Sequence, residues 1–156
     1  MVDTAARTYS PKAADIQRTW HVIDATGRPL GRLASEVAQI LRGKHKAMFA
    51  THMDVGDYVV VVNASRVGIT GKNKPLQKMY YRHSGYLGSL RAIPLGKMLA
   101  QKPERVIEHA VKGMLPKNSL GRSVFRKLRV YAGPNHPHRG QVDAVAENEA
   151  AGEKEA

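Results

Sequence analysis

Apolar positions fall along the chain in short, well-separated groups. The densest is Asp57-Tyr-Val-Val-Val-Val-Asn-Ala-Ser65. Its four consecutive valines are β-branched and poor in a helix interior. They do not alternate with polar residues, so a strand here would be apolar on both faces, as in the covered centre of an α/β sheet. A buried helix is the competing reading, but the run is short and lies between Gly56 and the Asn63–Ser65 polar close. The pattern therefore predicts a central strand.

Upstream, Trp20-His-Val-Ile-Asp24 reads as a first strand, followed by a turn at Thr26-Gly-Arg28. Pro29 suits a helix start, and Leu30, Leu33, Ala34, Val37, Ala38 and Leu41 recur on one helical face until Gly43. Strand, helix and valine strand make a βαβ unit, whose crossover is expected to be right-handed. Residues 43–54 then form a loop carrying Lys44, His45, Lys46 and His52. Val67–Thr70 reads as a further short strand ending at Gly71-Lys-Asn-Lys-Pro75. Lys78–His83 and Leu90–Ile93 flank the glycine-containing Ser84–Ser89 as a basic, aromatic hairpin. Pro94 opens a short helix through Ala100 and Pro103 a second, with Glu104–Leu115 apolar on one face. Pro116 stops that helix. Leu120–Lys127 adds one or two helical turns, Leu128–Tyr131 a last strand, and Gly133–Gly140 a turn-rich loop. Met1–Ala14 is aperiodic and is expected to be a mobile arm. Residues 15–141 form a single domain, and residues 142–156 an acidic, disordered tail.

Charge changes the picture. The formal net charge of the 156 residues is +12, and from Gln141 onward five acids accompany one base. Residues 1–140 thus hold 24 bases against 8 acids, with no acid between Asp57 and Glu104 or between Glu108 and Asp143. Charge that serves only solubility mixes both signs, whereas acid-free basic stretches point to a polyanion such as nucleic acid. Cysteine is absent, which excludes disulfides and thiolate chemistry. No apolar run reaches a membrane span and no signal-like segment opens the chain, so a soluble intracellular protein is the expectation.

Candidate chemistry narrows further. Gly68-Ile-Thr-Gly-Lys72 has the wrong spacing for a phosphate-binding P-loop, and Asn73 stands where a magnesium-binding hydroxyl belongs. Its Lys72 and Lys74 read as charge presented by a turn. Asp54 and Asp57 beside Gly56 read as turn chemistry rather than an acid–base pair. His136 and His138, near His45 and His52 only in composition, have no thiol and no carboxylate nearby in sequence, and Pro137 sets them at an extended rather than a helical spacing, so no metal and no cofactor is expected. Asn63-Ala-Ser65 matches a glycosylation triplet with nothing to suggest secretion. By contrast, Lys78, Tyr80, Tyr81, Arg82, His83 and Tyr86 combine rings that stack on unpaired bases with cations that neutralise phosphate. Packing within the hairpin could claim one of the adjacent tyrosines. Lys112, Lys117 and Arg122 surround a proline stop and glycines, where backbone can approach a polyanion closely. Arg28, Arg32, Arg126 and Lys127 complete the candidate RNA-binding set with Lys44, His45, Lys46, Lys72, Lys74, His136 and His138.

These pieces resemble a known family. Tyr80-Tyr-Arg-His-Ser-Gly-Tyr86, Val111-Lys-Gly-Met-Leu-Pro116, Leu120-Gly-Arg122, Val130-Tyr-Ala-Gly133 and His136-Pro-His138 are similar, in order, to bacterial large-subunit ribosomal protein thirteen. So are Asp24–Ala34, Gly43-Lys-His-Lys46, Gly56-Asp-Tyr58 and Asn63-Ala64. The resemblance implies a three-layer α/β/α core with a four-stranded, mostly parallel sheet and basic loop and hairpin extensions. It implies a non-enzymatic constituent of the large ribosomal subunit that binds large-subunit ribosomal RNA, supports early assembly and has ribosomal-protein neighbours. Some members are credited with messenger RNA binding, which makes a free-standing translational regulator the alternative. A phosphate-handling enzyme is the more distant rival. No membrane partner and no homo-oligomer is expected. Ala47-Met-Phe-Ala50, Gly88-Ser89 and the acidic tail after Val142 depart from the family pattern.

Overall fold

The computed structural model describes residues 9–143. The valine run becomes strand β2 (Tyr58–Val62), which pairs in parallel with β1 (Trp20–Asp24) on one side and β5 (Leu128–Val130) on the other. It is therefore central, and Val59, Val60 and Val61 are fully buried. Side-chain alternation divides them. Ile23, Val59 and Val61 join one core cluster with Leu33, Val37 and Leu41 of helix α1 (Leu30–Arg42). Ile107 and Val111 of α4 (Pro103–Met114) and Val124 of α5 (Ser119–Phe125) belong to the same cluster. On the opposite face Trp20 stacks on Tyr58, ring centroids 4.5 Å apart, and His138 lies 5.2 Å from Trp20. A short helical turn over residues 139–143 follows.

Helix α1 ends where Gly43 takes φ +79°, its N–H turned back to the carbonyls of Gln39 and Ile40. The chain then passes very close to the helix end. A Cβ on Gly56 would stand 1.7 Å from the Leu41 carbonyl oxygen, so only glycine fits.

The expected four-stranded sheet is not formed among the described residues. The described residues give a three-stranded parallel sheet and a separate two-stranded antiparallel one, β3 (Met79–Arg82) with β4 (Arg91–Pro94). The segment Val67–Thr70 makes only single bridges, Val67 to Thr26 and Gly68 to Pro29. Its backbone hydrogen bonds go to the turn before α1 instead, Leu30 N–H to Gly68 O at 3.0 Å and Gly68 N–H to Arg28 O at 2.9 Å. Asn63 at φ 58° and a 3-10 turn at Ala64–Arg66 have already redirected the chain away from the sheet. The hairpin leads through α3 (Leu95–Gln101) into α4, and α2 (Lys74–Gln77) precedes it. Residues 1–8 of the expected arm and 144–156 of the expected tail lie outside the described residues. Within the rest of the arm, Tyr9 donates its hydroxyl proton to Asp15 at 2.8 Å and Pro11 is buried.

Candidate nucleic-acid interface

The hairpin projects its charge and all but one of its rings outward. Alternation sends Tyr80 inward, where its ring lies 5.5 Å from His109 of α4, and leaves Tyr81 exposed. Burial raises the Tyr80 phenol pKa. Gly85 at φ +101° and Gly88 at φ +72° turn the tip, which holds Tyr86 and Leu87 in solvent. Across the strands Arg82 stands directly opposite Arg91. Like charges in register repel, so this pair calls for an anion that the described residues do not supply.

One turn along α4 from His109 is Lys112, at the edge of an open groove of about 470 Å³ between α4 and α5. Lys117, Arg122 and Arg126 also line it, over a floor of Leu115, Pro116 and Phe125. Local chemistry fixes this shape. Pro116 follows the end of α4, and Asn118 caps α5 by accepting the Gly121 N–H at 2.7 Å. Gly121 packs so tightly that a Cβ would meet the Pro116 carbonyl oxygen at 1.8 Å. Arg32, Lys44, Lys72, Lys74, Lys78, Arg82, His83, Lys112, Lys117, Arg122 and Arg126 are exposed and make no ion pair with a described residue.

The remaining candidates lie against other groups of the fold. Arg28 pairs with Glu36. Lys127 is buried, its ammonium bound to Asp54 and donating to the carbonyls of Gly56 at 2.8 Å and Leu41 at 3.3 Å. Burial lowers its pKa, and Asp54 works against that shift. With its ammonium desolvated and paired inside the fold, Lys127 is not presented at the surface as the other candidates are. His138 shares a 3.0 Å hydrogen bond with the Tyr131 hydroxyl, and His136 is half-buried beside Tyr131.

His45 and Lys46 turn onto Asp57, whose side chain is fully buried. The Thr19 N–H donates to its Oδ1 at 3.0 Å, Lys46 occupies the same oxygen, and His45 and His21 approach Oδ2 at 2.8 and 3.3 Å. Burial alone would raise the Asp57 pKa. The hydrogen bonds from His21, Lys46 and the Thr19 amide, with the Lys46 charge, overcome that and hold it well below the usual carboxylate range. A depressed folded pKa means that the stabilisation is present above the unfolded value near 4 and is lost as pH falls through the folded one. Thermal melts from pH 6 down to pH 2 should show wild type losing stability more steeply than Asp57→Asn, which starts lower. Parallel curves would rule out this role.

Sequence reading passed over Asp57, Asp54 and His21 as partners, and Arg91 as a surface cation. Arg91 could have been found by pairing the hairpin strands about the Ser84–Ser89 tip. The carboxylate contacts span gaps such as Asp54 to Lys127 and carry no local signal.

The family model described as Ribosomal protein L13 matches residues 18–137. A protein named large ribosomal subunit protein uL13 from Thermobifida fusca is 64% identical over 135 residues, 86% of this chain and 90% of the relative. Proteins of the same name from Beutenbergia cavernae and Methylococcus capsulatus are 60% and 56% identical over 135 residues, with 91% and 94% of their own lengths covered.

Proposed function

The chain belongs to the ribosomal protein L13 family, and from that premise we propose that the hairpin and the α4–α5 groove are its contacts with large-subunit ribosomal RNA. The protein is a structural constituent of the large ribosomal subunit, acting in the cytoplasm as part of the ribosome, and not an enzyme. Its partners are large-subunit ribosomal RNA and neighbouring ribosomal proteins. No helix of the described residues is long and apolar enough to cross a membrane.

The observation that carries the contact assignment is the Arg82–Arg91 register, a like-charge pair that a phosphate backbone would bridge. Beside it, exposed Tyr81 and Tyr86 offer ring faces to unpaired bases. The groove supplies four further cations around an apolar floor. The same reading has the free protein act as a single chain, and has any messenger RNA that binds compete for this surface.

Titration against large-subunit ribosomal RNA at several salt concentrations tests the assignment. Removing one cation that neutralises a phosphate should flatten the log–log salt slope by about 0.7–0.9. Arg82→Ala, Lys112→Ala and Arg122→Ala should each do so with circular dichroism unchanged. Tyr86→Ala should cost roughly 1–3 kcal/mol of affinity with little change of slope. Wild-type slopes in all three folded cation variants would remove these residues from the interface.

A further inference from the structure

Three side chains far apart in sequence converge below the sheet's N-terminal edge: His21 from β1, His45 from the loop after α1, and Asp57 at the entry to β2. One ring nitrogen of each histidine and one Asp57 carboxylate oxygen all lie within 4.8 Å of one another. We infer that these residues form a zinc-binding site of His, His, Asp composition, open to solvent at a fourth position.

The geometry is close to what zinc requires. Tetrahedral coordination at 2.0–2.2 Å places neighbouring ligand atoms about 3.3 Å apart. His21 Nε2 is already 3.3 Å from Asp57 Oδ2, and His45 Nε2 is 2.8 Å from it. Opening the second distance by about half an ångström needs only a small rotation of His45, whose side chain is 37% exposed. The two ring planes stand nearly perpendicular, at 86°, with centroids 6.1 Å apart, so the rings do not stack on one another beside the shared oxygen. The other carboxylate oxygen is held by the Thr19 N–H and Lys46, which fixes Asp57 as a one-oxygen ligand. The Thr19 hydroxyl, 3.0 Å from His21 Nε2, stands beside the cluster, where it or water can complete the shell.

The ligand set selects the metal class. Two imidazoles and one carboxylate oxygen suit zinc, whereas calcium and magnesium require more oxygen ligands. The Lys46 charge opposes any cation here, and it weighs most against calcium and magnesium, which gain little from imidazole nitrogen to offset it. Bound zinc would staple the loop that carries Lys44 to both β1 and β2.

The test uses the tag-free full chain, stripped with chelator and dialysed into a non-chelating buffer. Zinc chloride at saturating concentration should raise Tm by roughly 5 °C or more, with one zinc per chain by titration. His21→Ala and His45→Ala should each abolish that rise, while His52→Ala, an exposed histidine outside the cluster, keeps it. Cobalt(II) in wild type should give the visible absorption of a tetrahedral ion. That measurement stands even where an alanine variant fails to fold. No cobalt band, or a zinc-induced rise that persists in both His21→Ala and His45→Ala, overturns the site. The outcome is independent of the RNA surface, since none of the titrations contains RNA.

Discussion

Val61→Asp should unfold the protein or cost about 4 kcal/mol or more, a large part of a typical stability of about 5–15 kcal/mol. Val61 is fully buried in the middle strand, with Ile23 and Val130 as its register partners. Helices α1, α4 and α5 contribute to the same cluster. A carboxylate there has no cation among its described neighbours in that cluster, and desolvation is uncompensated. Val60→Asp should be milder although Val60 is equally buried. It points to the other face, in register with Arg129 and with Val22, which is 41% exposed. An aspartate there has the Arg129 side chain on the neighbouring strand and a partly open flank at Val22. Chemical denaturation of the two variants measures the difference. Equal losses would show that the two faces of the sheet are covered alike.

Lys127→Ala should destabilise the protein by about 3–5 kcal/mol, the usual cost of removing one partner of a buried ion pair. The substitution leaves the Asp54 carboxylate with only the more distant Arg18, at 3.9 Å, and the Leu41 and Gly56 carbonyls without their shared donor. Those carbonyls lie where the end of α1 meets the approach to β2, so the ammonium ties three segments together. The fraction that remains folded should show a wild-type salt slope for RNA binding, in contrast to Arg122→Ala. A stable Lys127→Ala protein with a flattened slope would return Lys127 to the RNA interface and refute its structural assignment.

Local chemistry wrote much of this protein into its sequence. Four adjacent β-branched residues between a glycine and an asparagine specify a covered strand, and β2 is the middle strand. Apolar spacing from Leu30 to Leu41, closed by Gly43, specifies α1, because the period and the left-handed cap are properties of neighbouring residues. The hairpin, the proline-bounded helices and the acid-free basic stretches were legible for the same reason, and the ordered motifs pointed to the family. The fate of each charge was not legible. Lys117, Arg122, Arg126 and Lys127 look alike in sequence, yet three line an open groove and the fourth is buried on Asp54, 73 residues away. His45 and Lys46 look like loop cations beside Lys44, yet both face Asp57, and His21 joins them from another strand. Val67–Thr70 has strand-forming residues, but its hydrogen bonds go to the turn before α1. Such choices rest on which distant groups folding brings within a few ångströms. Coulombic attraction, desolvation and hydrogen-bond satisfaction depend on that separation in space, and separation along the chain does not set it.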